Sequence, residues 1–176
     1  MIKGGIGGAK TVTGLTFEKK TDIRTAFNKI KNYQIKDDTL LYKGNIVANM
    51  YSKYELYEKF LCKLNIKWEE RISRRLLPDD SIFVFTNKTL FIIEMKFQNV
   101  EGSTDEKLQT CDFKLKQYKK LFQGSGIKIE YVYILNDWFK KIRYKDVLNY
   151  IKSVDCHYFF EKLPLKILGL PESIVS

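Results

Sequence analysis

The chain has one histidine, His157, and three cysteines, Cys62, Cys111 and Cys156, and both shortages narrow the chemistry open to it. A lone imidazole excludes a His-rich metal site and speaks against catalysis by paired histidines. The cysteines are odd in number and form no CxxC pair, which argues against a disulfide framework or a structural zinc site and suits a reducing cytoplasm. Acid is also short: 21 Asp and Glu stand against 31 Lys and Arg, for a net charge of +10. That imbalance points to a polyanionic partner, nucleic acid or an acidic membrane surface. No run approaches the roughly eighteen apolar residues needed to span a bilayer, and the N-terminus has no apolar stretch of the secretory kind. A cytoplasmic protein without membrane association is expected.

What is present is enough for one folded domain. Of 176 residues, 44% are hydrophobic and 14% aromatic, so a core can form without covalent staples. Residues 1–14 are glycine-rich and read as a flexible arm. A helix is expected from Thr13 or Thr16 to about Asn32, with Ile23, Ala26, Phe27 and Ile30 on its apolar side. Tyr33 to Tyr51 reads as a hairpin or small meander, broken at Asp37-Asp38 and Gly44-Asn45. Ser52 with Glu55 has the capping-box pattern and opens a second helix ending near Asn65.

Two strands, Asp80–Phe85 and Thr89–Phe97, follow a basic segment and are joined at Asn87-Lys88. The second is apolar on both faces, as a central strand should be. Ser103 with Glu106 opens a third helix whose stripe is Leu108, Cys111, Leu115, Tyr118 and Phe122. A strand Ile127–Leu135, a helix from about Tyr144 to Lys152, a strand Cys156–Phe160 and a turn around Pro164–Gly169 complete the chain. The expectation is a single α/β domain over 1–176, with a central mixed β-sheet flanked by helices.

The informative stretch is Leu77-Pro78-Asp79-Asp80, followed fifteen residues after Asp79 by Glu94-Met95-Lys96. Side chains alternate along a strand, so Glu94 and Lys96 share a face, roughly 7 Å apart. If the two strands pair antiparallel, Asp79 arrives beside Glu94, and two carboxylates meet one ammonium at a sheet edge. Charges at the end of an apolar strand must be paired or hold a cation. Two carboxylates and the Met95 carbonyl are hard oxygen donors of the sort Mg²⁺ prefers. The competing account is a surface ion pair of Glu94 with Lys96. Asp80 points to the opposite face from Asp79 and becomes the alternative ligand if the register shifts.

This pattern resembles the signature of the PD-(D/E)XK nuclease superfamily, particularly the small type II restriction endonucleases. The resemblance covers roughly Thr16 to Phe160 and implies a restriction-endonuclease-like core. It implies Mg²⁺ on Asp79 and Glu94 and a water-handling role for Lys96. It also suggests Glu18 as an acidic contribution from the first helix and Gln98 as a further site residue. The implied activity is hydrolysis of double-stranded DNA at a specific site, leaving 5′-phosphate and 3′-hydroxyl ends. A homodimer would match a two-fold target, with a host methyltransferase as functional partner. The alternatives are a Holliday-junction resolvase or repair nuclease on the same scaffold, or a non-catalytic DNA-binding protein.

Candidate DNA contacts are Arg71, Arg74 and Arg75 before the strand pair, Lys10 and Thr11 in the arm, and Ser103. Each has a plainer account as solvated linker or loop. Gly4 to Thr11 is not a P-loop, because it lacks the glycine before the lysine and any preceding strand. The lysines of the third helix, Lys114 among them, read as a solvated face. His157 reads as structural and Cys111 as a buried, inert thiol.

Overall fold

Alternation along Thr89–Lys96 buries every residue from Thr89 to Glu94, on both faces of the strand. A strand covered on both sides must lie inside a sheet, and it does. A computed structural model of the protein describes residues 13–18, 21–100 and 104–172. Its strands are β1 (Gly14–Thr16), β2 (Tyr33–Lys36), β3 (Thr39–Tyr42), β4 (Asn45–Tyr51), β5 (Asp80–Val84), β6 (Thr89–Lys96), β7 (Lys128–Leu135), β8 (His157–Phe160) and β9 (Lys162–Pro164). Its α-helices are α1 (Ile23–Asn28), α2 (Thr104–Lys107), α3 (Cys111–Leu121), α4 (Lys145–Ser153) and α5 (Leu165–Leu168). A π-wound segment, Leu56–Leu61, follows β4.

Seven strands form one mixed sheet in the order β2-β3-β4-β5-β6-β7-β8. Pairing is antiparallel from β2 to β6 and parallel from β6 to β8. Helices cover both faces, so the chain is one α/β domain of the expected class. On one face Leu90, Ile92, Tyr131 and Tyr133 pack against Leu108, Cys111, Leu115 and Tyr118. On the other, Phe91, Ile93, Val132 and Ile134 meet Ile23, Phe27, Leu163 and Leu168. Each fully buried aliphatic side chain contributes roughly 1.5–3 kcal/mol.

The stripe of α3 is buried as its spacing predicts. The carbonyls at its C-terminal end, which have no partner inside the helix, are satisfied by Arg71, whose Nη1 donates to Leu121 O and Gln123 O, both at 2.8 Å. The meander also forms, with Lys43 and Gly44 both at positive φ in the two-residue turn between β3 and β4.

The long first helix does not form. Gly14–Thr16 instead pairs antiparallel with Lys162–Pro164, and Phe17 N–H donates to Glu161 O. Gly14 is required there, because a Cβ would lie 2.9 Å from Leu163 O. Gly14, expected in the arm of residues 1–14, therefore belongs to a strand, while residues 1–12 of that arm, with Lys10 and Thr11, and Ser103 lie outside the described residues. The helix starts only at Asp22, whose Oδ1 accepts from Thr25 N–H as an N-cap. Among the described residues no helix is long and apolar enough to cross a membrane.

Candidate active site

The register Asp80↔Ile93 sets Asp79 across from Glu94 where β5 begins. Asp79 continues the ladder with its side chain, its Oδ2 accepting from Met95 N–H at 2.8 Å. The approach to Asp79 is pinned from two sides. Leu76 O accepts from the hydroxyls of Tyr57 and Tyr118, at 2.9 and 3.0 Å, and Pro78 O accepts from Lys53 N–H. Both tyrosines are core residues, so the position of Asp79 is set by packing rather than by a free loop.

Four charges meet on this face. Glu94, only 5% exposed, accepts from Lys96 Nζ on Oε2 at 2.8 Å and from Lys114 Nζ on Oε1 at 3.1 Å. Lys96 Nζ also lies 3.3 Å from Met95 O and 3.8 Å from Asp79 Oδ2. One ammonium thus sits where two carboxylates and a main-chain carbonyl converge. Beneath them Tyr118, Tyr131 and Tyr133 are buried. Burial first, with the nearby Glu94 carboxylate adding to it, holds all three phenols above their usual range. The floor is neutral and poorly hydrated, which strengthens every charge interaction above it.

Two clefts open beside the Asp79–Lys96 pair. One, of about 530 Å³, is lined by Asp22, Asp79 and Asp80 together with one cation, Lys53, and with Ser52, Met95 and Phe97. The other, of about 460 Å³, is lined by Arg74, Lys96, Lys107 and Lys114, with no carboxylate among the described residues. Carboxylates outnumber the one cation in the first cleft, and the second is basic.

Asp80 takes the opposite face, as strand alternation requires. It is 1% exposed, with Oδ1 accepting from Ser52 Oγ at 2.6 Å and Oδ2 from Ile23 N–H at 2.9 Å. Burial pushes its carboxyl up to about 6, against the two hydrogen bonds, with Asp22 and Asp79 adding to the rise. It anchors α1 to the sheet, and the shifted register that would recruit it is not adopted. The Ser52–Glu55 box is half made: Glu55 Oε2 accepts from Ser52 N–H, while Ser52 Oγ serves Asp80.

The structure separates the remaining candidates. Glu18 is exposed, precedes α1 instead of lying on it, and does not line the acidic cleft; Asp22, the N-cap, does. Gln98 is buried but tied to the end of β7. Its backbone N–H and C=O pair with Asn136, and its Nε2 donates to Val100 O at 2.6 Å. No bond joins it to Asp79 or Glu94 among the described residues.

Of the three arginines, Arg71 serves the end of α3, and Arg75 stacks over the rings of Tyr54, Tyr57 and Trp68. Arg74 alone faces the basic cleft. The sequence places Lys114 on a solvated helix face, yet it reaches Glu94. Its sign in the sequence is the stripe Lys107, Thr110, Lys114, Gln117, one residue behind the buried stripe at each position. His157 is exposed rather than packed, and its Nε2 lies 2.9 Å from Glu130 Oε2.

Among the described residues no group of three or more His, Cys, Asp or Glu side chains gathers as a metal cage. The available donors are the two carboxylates and the Met95 carbonyl. That set fits Mg²⁺, which keeps several waters and takes one or two carboxylates plus substrate phosphate. It does not fit zinc, whose sites use nitrogen and sulfur. The chain matches no family model, no curated protein and no solved structure.

Proposed function

We propose that this chain is a Mg²⁺-dependent endodeoxyribonuclease of the PD-(D/E)XK type. The observation that carries the reading is the convergence of Glu94 Oε2, Met95 O and Asp79 Oδ2 on one point, held by the Lys96 ammonium. A divalent cation would take that point through Asp79, Glu94 and the Met95 carbonyl. When bound, it supplies an acidified water and offsets charge on the phosphoryl oxygens. Lys96, displaced from its carboxylate, then donates hydrogen bonds to the attacking water and to the phosphoryl oxygens as their charge grows. Lys114 stays on Glu94 Oε1 and fixes the carboxylate in place. Arg74 and Lys107 extend a positive surface along which a phosphate chain approaches.

The resemblance to small type II restriction endonucleases adds the finer part of the proposal. The substrate is double-stranded DNA cut at a specific site by a homodimer, with a methyltransferase protecting the host. The test is incubation of supercoiled plasmid with the protein and Mg²⁺, followed by gel electrophoresis. Discrete fragments are expected, and Lys96→Ala should lower the rate by about 10²–10³-fold, the usual cost of one transition-state donor. Full activity in that variant refutes the role of Lys96, and an untouched plasmid refutes the enzyme.

A further inference from the structure

The basic cleft holds a feature that phosphate binding alone does not use. Along the helical stripe that faces it, Phe113 projects beside Lys114 and is 61% exposed. Single exposed aromatics are common on protein surfaces. This one lies in a cleft with four cationic side chains and, among the described residues, no carboxylate, and the cleft runs directly into Lys96. Among the described residues, neither Arg74 nor Lys107 makes an ion pair, so both remain free for an anion. Lys96 and Lys114 are occupied by Glu94.

Free cations interleaved with an open aromatic ring match the chemistry of an unpaired nucleic-acid strand, with phosphates on the cations and a base stacked on the ring. A paired base in an intact duplex has both faces covered by its neighbours and offers no such contact. We infer that the cleft formed by Arg74, Lys107 and Phe113 binds an unpaired DNA strand next to the scissile phosphate. The double-stranded substrate is then held with nucleotides unpaired at the cut, so a duplex that already carries a forked end, a flap or a gap there binds more tightly than an intact one. This inference rests on the nuclease reading for the position of the scissile bond, but not for the binding it predicts.

The test is fluorescence anisotropy in EDTA, with two labelled DNA probes of equal duplex length, one blunt and one ending in splayed single strands. Wild-type protein should bind the forked probe roughly 5- to 150-fold more tightly, the worth of one stacked base. Phe113→Ala should erase that preference while leaving blunt-duplex affinity unchanged, and Phe113→Tyr should restore it. Arg74→Ala with Lys107→Ala should weaken both probes and flatten the salt dependence by about 1.5 to 2 in slope.

Equal affinity for the two probes, no binding to either, or a preference that survives Phe113→Ala overturns the inference. Mg²⁺-dependent cutting without a fork preference removes the cleft proposal alone. A preference without cutting removes the nuclease reading and leaves the cleft standing.

Discussion

If a divalent ion is to occupy the point where Glu94, Asp79 and Met95 O converge, it must first evict the Lys96 ammonium, and that competition is measurable without any substrate. A ligand that binds only the folded state stabilises by RT ln(1 + [L]/Kd). With Mg²⁺ at about ten times Kd this is about 1.4 kcal/mol. Unfolding entropy near 2.1 cal/mol/K per residue gives about 0.37 kcal/mol/K for 176 residues, hence a rise in Tm of about 4 °C. Glu94→Gln should abolish the rise, because the amide cannot replace the carboxylate as a ligand.

Lys96→Met should act in two opposite directions. Without metal it lowers stability by about 2 kcal/mol, less than the loss of a fully buried pair, because Lys114 still holds Glu94 Oε1. With Mg²⁺ its Tm should rise further than that of wild type, since no ammonium competes. The assay is differential scanning fluorimetry with and without Mg²⁺ at matched ionic strength. A rise that persists in Glu94→Gln, or one smaller in Lys96→Met than in wild type, refutes the reasoning.

The parts legible in the sequence are those fixed by local alternation or by helical spacing. Strands β5 and β6, their turn at Lys88 and the shared face of Glu94 and Lys96 all follow from a period of two and a short connection. The buried stripe of α3 follows from a spacing of three and four. What failed depended on partners distant in the chain. Residues 14–16 carry no sign that Lys162–Pro164 captures them as a strand, so local spacing alone extends a helix through them. That error also placed Glu18 on a helix and hid Asp22 as its cap.

Charge assignments failed for a related reason. A lysine or arginine states its charge in the sequence but not its destination. Arg71, Arg74 and Arg75 look equivalent, yet one satisfies carbonyls at a helix end, one stacks on three rings, and one faces the cleft. Lys114 looked solvated because Glu94, its partner, lies twenty residues away on another element. The site's two carboxylates were visible, and the second cation was not.

The remaining predictions concern which carboxylates hold the fold. Asp80→Ala leaves a buried donor, Ile23 N–H, and a part-buried one, Ser52 Oγ, without their acceptor, and should cost about 1–3 kcal/mol in urea denaturation. Asp79→Asn, which still offers an oxygen to Met95 N–H, should stay within about 1 kcal/mol of wild type; the reverse order would overturn the division between anchor and ligand. The last concerns acid. The hydrogen bond with His157, against burial and with help from Lys128, holds the Glu130 carboxyl down at about 2. A carboxyl depressed in the folded state contributes stability that is present above its unfolded value near 4.5 and is lost as the pH falls through 2. The ceiling is about 3 kcal/mol, reduced by solvent screening at the sheet edge. Urea midpoints measured at pH 5 and pH 3 should therefore fall more steeply in wild type than in His157→Ala, where Glu130 has lost its leading partner. Equal slopes would mean that the imidazole does not set the carboxyl, and that Lys128 alone accounts for its acidity.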